Sequence, residues 1–101
     1  MEILNTVKKL LGIVGNYQDE TLIAYIDEIQ QYLLSAGVNP LIVYSKTSEG
    51  TIARGVIDLW NYGSGDSKLS PYFKERVIQL SYREIPEINP INGGDVNELS
   101  S

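Results

Sequence analysis

The chain has 101 residues, 43% of them hydrophobic, with thirteen acids against eight bases and neither cysteine nor histidine. That is room for one domain with a small core. It excludes disulfides and thiolate chemistry, and it removes the commonest general base and the commonest transition-metal ligand. No apolar run approaches the length of about 18 residues that would span a bilayer. No basic stretch leads into a long apolar core at the amino terminus, so no signal peptide is expected and the chain reads as cytosolic and soluble.

The charge is unevenly spread. Residues 84–101 hold Glu84, Glu87, Asp95 and Glu98 and no base, which leaves nine acids against eight bases in residues 1–83. A sequence-independent nucleic-acid interface needs a dense basic surface to displace counterions, and none is offered.

Ile3, Leu4, Val7, Leu10 and Leu11 predict a helix over 2–11 closed near Gly12. Lys8 and Lys9 fall in its last turn, where the helix dipole favours cations. Ile13 and Val14 are placed to extend the apolar contact past that end. After the loop Gly15–Gln18, Asp19 is the expected N-cap of a second helix over 19–35, with Glu20 in its first turn. Leu22, Ile23, Ile26, Ile29, Leu33 and Leu34 make this the clearest amphipathic pattern in the chain. Tyr25 and Tyr32 lie on its flank, and Gly37 is the expected left-handed terminator.

Asn39-Pro40 breaks the chain. Leu41–Tyr44 is β-prone but short, and is read as an irregular segment that seals the core. Ser48 is the expected cap of a third helix over 49–62, in which Ile52, Val56 and Trp60 form a stripe with Ala53 and Ile57 beside it. Gly63–Ser67 stops it. Ser70-Pro71 restarts a fourth helix over 71–83, with serine at the N-cap and proline at the first helical position. Tyr72, Phe73, Val77, Leu80 and Ile78 are assigned to its buried side.

The reading is an all-α, four-helix, bundle-like domain over 1–83 with an extended acidic arm over 84–101. Val7, Leu11, Leu22, Ile26, Ile29, Leu33, Ile52, Val56, Trp60, Phe73, Val77 and Leu80 are its expected core. In the arm, Pro86 and Pro90 oppose helix, and Asn92-Gly93-Gly94 permits a sharp turn. Ile85, Ile88, Ile91, Val96 and Leu99 are too widely spaced for a core but suit anchors on a partner. The arm is expected to be disordered in the free protein and ordered in an assembly.

Catalytic readings fail on geometry. Gly63-Ser64-Gly65-Asp66-Ser67-Lys68 lacks the glycine-to-lysine spacing of a phosphate loop and follows a helix rather than a strand. The adjacent carboxylates Asp19/Glu20 and Asp27/Glu28 point about 100° apart on a helix and cannot converge on one substrate. Arg54 and Asp58, four residues apart, are expected to pair on the exposed face of helix three. No enzyme activity, cofactor or metal is expected.

The segment Ala53–Gly65, with Leu69–Phe73 and Arg76–Leu80 after it, resembles the small head–tail connector proteins of long-tailed bacteriophages. These are also called head-completion or adaptor proteins. The early helix, the loop Tyr17–Glu20 and the long second helix agree in type, so the resemblance covers about residues 1–83. It implies a helical subunit that docks beneath the portal protein as a homo-oligomeric ring, commonly of twelve copies. Such a ring extends the DNA channel without binding DNA specifically and offers a surface to a further neck or tail-completion protein. It implies a place in the virion neck, reached by assembly in the cytoplasm of the bacterial host, with no membrane partner. The alternative is a small helix-turn-helix regulator that sets helix four on DNA. Its Lys74, Arg76 and Arg83 are thin cover for that, and the turn is longer than the usual three or four residues.

Overall fold

The computed structural model describes residues 2–63 and 68–83. The described part is all-α. Helix α1 spans Glu2–Leu11, α2 Asp19–Ser35, α3 Pro40–Val43, α4 Glu49–Tyr62 and α5 Pro71–Ser81, with one 3-10 turn at Lys46–Ser48 before α4. The four long helices fall where the apolar spacing predicts them. Helix α4 is the hub, packing against α1, α2 and α5, while α1 and α2 also pack on each other.

The first two long helices close in the same way. At the end of α2, Gly37 takes φ +93°. This left-handed residue turns the chain so that Val38 N–H donates to the Leu33 carbonyl and Gly37 N–H to that of Leu34. Val38 is thereby buried beside Leu33, the hydrophobic contact that accompanies this motif. At the end of α1, Gly12 does the same, with Ile13 N–H donating to Lys8 and Gly12 N–H to Lys9. Ile13 packs partly against the core, whereas Val14 is 91% exposed.

The segment 41–44 is a correction. Instead of crossing irregularly, it is the single-turn helix α3: Asn39 caps it by accepting from Leu41 N–H at 2.8 Å, and Pro40 supplies the first helical position. Ile42 and Val43 do seal the core, while Leu41 and Tyr44 face outward. Two caps also differ. Asp19 is the first residue of α2, not the residue before it, and Gln18 makes no side-chain cap bond. Asp19 instead meets Lys8 at 2.7 Å. That ion contact is close but not aligned as a hydrogen bond. Ser48 sits at the start of α4, yet its hydroxyl donates backward to the Val43 and Ser45 carbonyls, tying the 3-10 turn to α3.

Ten of the twelve expected core residues are buried; Leu11 and Trp60 are only partly so. Steps of four residues drift about 40° each on a helix. From Ile52 to Trp60 the drift is therefore about 80°, and it carries the indole to the edge of the buried face. Leu59, about 20° from Ile52 on the other side, is fully buried in its place. On α5 the buried stripe is Phe73, Val77 and Leu80 alone. Tyr72 and Ile78 are 57% and 56% exposed, because α5 has α4 as its main neighbour and buries a narrow face.

The tightest contact lies at Gly55. A Cβ built there would come within 2.6 Å of Phe73 Cε1 and 2.8 Å of Ile29 Cδ1. Those atoms belong to α5 and α2, so three helices meet over one missing side chain, and Tyr32 stacks obliquely on Phe73 with ring centroids 5.6 Å apart. Gly55→Ala should destabilise the domain by about 1 kcal/mol, and by no more than about 2. The overpacking cost of about 1–3 kcal/mol is then only partly offset by the helix preference of alanine, about 1 kcal/mol. Urea unfolding followed by circular dichroism checks this; an unchanged or raised midpoint would show that Phe73 moves aside freely.

Candidate functional site

Helix α5 is placed by two side chains. Ser70 accepts from Phe73 N–H at 3.1 Å through its hydroxyl, capping the first turn as its position before Pro71 predicts. Its own N–H donates to Asp58 Oδ2 of α4 at 3.0 Å. Asp58 is only 3% exposed, which corrects the expectation of a surface pair. Arg54 is its ion partner, but at a looser 3.8 Å through Nε. The carboxylate is therefore a bracket between helices, held chiefly by a backbone donor twelve residues away.

The Arg54 side chain is half-exposed and leads outward from that bracket. Its guanidinium carbon lies 5.4 Å from the centre of the Tyr72 ring, within reach of a cation–π contact. Together these residues wall a groove of about 360 Å³ between α1, α4 and α5. Leu10, Gly50, Thr51, Arg54, Ile57, Tyr72, Phe73 and Arg76 line it. Two guanidiniums, two aromatic rings and two aliphatic side chains suit an extended ligand bearing both carboxylates and apolar groups. Arg76 is exposed and makes no ion pair among the described residues.

Other concavities differ in character. A shallow face on the opposite side of α5 is lined by Leu69, Pro71, Lys74, Glu75, Ile78, Gln79 and Tyr82. A notch beside the start of α1 holds Glu2, Ile3, Lys46, Glu49 and Tyr44. A patch on α2 includes Glu28, Gln31 and Tyr32. Among the described residues no three His, Cys, Asp or Glu side chains are grouped to hold a metal ion, and no helix is long and apolar enough to cross a membrane.

The partner-binding residues expected from the sequence, Ile85, Ile88, Ile91, Val96 and Leu99, lie outside the described residues, as does the rest of the arm. The groove itself is not among the expectations drawn from the sequence. Its one sequence signal was the i, i+4 spacing of Arg54 with Asp58 and of Tyr72 with Arg76, and nothing in the chain pairs those two spacings. Comparison with protein-family models, with curated proteins and with solved structures finds no match to this chain.

Asp58→Ala leaves the part-buried Ser70 N–H unpaired; it should cost about 1–3 kcal/mol and should loosen the first turn of α5. Lys46→Ala breaks an ion pair whose side chains are 77% and 67% exposed. It should cost no more than about 0.5 kcal/mol. Equal effects in chemical unfolding would show that the bracket is not what holds α5.

Proposed function

We propose that this chain is a structural subunit of a bacteriophage neck. In this reading it docks as a ring beneath the portal, extends the DNA channel, and presents a surface to the next neck or tail-completion protein. Beyond the resemblance over residues 1–83, the observation that carries the reading is the outward side of α5. Ile78, 56% exposed on α5, and Tyr82, 81% exposed at its C-cap, share one face of that helix with Leu69 and Pro71. Aromatic and aliphatic groups left wet on a small domain mark contact surfaces, and tyrosine is enriched where contacts are strongest.

A closed ring also needs two different faces on each subunit, since each copy must present one patch to one neighbour and another patch to the next. Leu41 and Tyr44 of α3, 68% and 59% exposed, supply apolar groups on a second element. The body is close to charge-neutral, which suits a channel component past which DNA must slide. The acidic arm, with Ile85, Ile88, Ile91, Val96 and Leu99, is assigned to contacts made in the assembled neck.

Electron microscopy of particles made without this protein tests the reading. Filled heads that lose DNA and lack tails are the expected result; normal virions with altered transcription would favour the DNA-binding regulator instead. A finer check uses Ile78→Asp with Tyr82→Asp. Both side chains are exposed, so helicity by circular dichroism should persist while association with portal-bearing heads is lost. Retained association would remove α5 from the interface.

A further inference from the structure

The groove between α1, α4 and α5 differs in charge from the protein that carries it. The chain holds thirteen acids against eight bases, yet Arg54 and Arg76 line this groove and no acid does. The notch beside α1 mixes Glu2 and Glu49 with Lys46, the α2 patch holds Glu28 without a base, and the Ile78 face sets Lys74 against Glu75. Of these concavities only the groove presents a net positive lining. Asp58, the ion partner of Arg54, is 3% exposed and accepts from Ser70 N–H, so it screens one guanidinium from below. Arg76 is left uncompensated among the described residues.

The lining is also ordered. On α4, Gly50, Arg54 and Ile57 fall at intervals of four and three residues, one stripe along the groove. On α5, Tyr72 and Arg76 stand one turn apart, about 6 Å along the axis. The guanidinium carbon of Arg54 lies 5.4 Å from the centre of the Tyr72 ring. Arg54 meets Asp58 only at 3.8 Å through Nε, beyond hydrogen-bond length, and keeps donors of its planar fork for another carboxylate. Leu10 and Tyr72, 61% and 57% exposed, supply apolar surface. At Gly50 an added Cβ would meet nothing within 4 Å, so the groove is open at that end. Its volume of about 360 Å³ is near the lower limit of ligand pockets, about 300–1,000 Å³. That is room for a few residues of extended chain but not for a helix about 10–12 Å across.

We infer that this groove binds a short extended segment of another protein, one that carries two carboxylates and a large apolar side chain. The carboxylates meet Arg54 and Arg76, each able to form a two-pronged contact. The apolar side chain lies against Leu10, Ile57 and Tyr72. Both kinds of surface count in choosing the occupant. A phosphate ion would leave the apolar wall unused, and a nucleic-acid strand would find only two cations here on a protein of net charge −5. The neck reading places its contact on the Ile78 and Tyr82 face, so the groove's occupant is independent of it.

Nitrogen-15 amide spectra of the full chain, titrated with a panel of capped hexapeptides, test this. Each peptide carries two glutamates and one leucine or phenylalanine, at a different spacing. At least one should move the amides of Leu10, Ile57, Tyr72 and Arg76 while those of the exposed α2 positions Asp27 and Gln31 stay still. Exchanging its glutamates for glutamine, or its apolar residue for glycine, should weaken binding several-fold. Arg76→Glu should do the same, with Arg76→Gln as the milder second variant, and each variant's own spectrum verifies the fold. A peptide with lysines in place of the glutamates should then bind Arg76→Glu better than it binds the native chain. The proposal is overturned if no member of the panel moves the groove amides, if the glutamine peptides bind equally well, or if the shifts centre on Ile78 and Tyr82. Tighter binding of a single-stranded oligonucleotide at the same amides also overturns it, as do groove shifts on concentrating the protein alone. The occupant would then be nucleic acid or a second copy.

Discussion

The meeting of α2, α4 and α5 at Gly55 is the contact on which the rest of the fold depends. A side chain there would collide with Phe73 and Ile29, so the absence of one sets how closely α5 and α2 approach the hub helix. Phe73 is fully buried, and Tyr32 packs obliquely on its ring. A glycine inside a helix ordinarily costs stability through backbone entropy. Here that cost is offset by burying an aromatic ring and an isoleucine against bare backbone, each worth roughly 1.5–3 kcal/mol of transfer free energy.

Once Phe73 is seated, the direction of α5 is fixed one turn earlier by the Asp58 bracket. A buried carboxylate with no partner would be costly, and Asp58 is satisfied by Ser70 N–H and by the looser contact with Arg54. Because the same Ser70 caps α5 through its hydroxyl, one residue joins helix start to helix hub. Arg54 gains its position from this arrangement. Drawn toward Asp58 and lying by the Tyr72 ring, it forms one wall of the groove between α1, α4 and α5.

Much of this was legible in the sequence, and the failures have physical reasons. Helix extents followed from apolar periodicity and from Gly12, Gly37 and Ser70-Pro71, signals that act within a few residues of where they stand. Trp60 was misjudged because a stripe drawn at intervals of four drifts across a helix of 3.6 residues per turn. Asp58 was misjudged because an i, i+4 partner says nothing about which face the pair occupies, and its true partner is a backbone N–H twelve residues on. Ser48 was placed correctly but its hydroxyl found a nearer carbonyl, which no propensity reports. The groove was invisible for a deeper reason: it depends on how α1, α4 and α5 cross, which is set by packing between helices (at Gly55 for α4 and α5) rather than by any local pattern.

The division between core and contact surface follows from the same packing. Helix α4 is enclosed by α1, α2 and α5 and buries half of its fourteen residues, whereas α5 buries three of eleven. A helix held mainly by one neighbour has few buried contacts to lose on opening, which places it toward the low end of local stability. Helix α5 also leaves Tyr72 and Ile78 wet. Those two properties share one cause, since a face not spent on the core is free for a partner. The Asp58–Ser70 bracket then answers a need that the narrow stripe of Phe73, Val77 and Leu80 leaves open. Three side chains can bury a helix without fixing its start, and a directional hydrogen bond from a buried carboxylate fixes it. Rigid placement of an otherwise lightly anchored helix is what allows its outer face to be presented in one orientation.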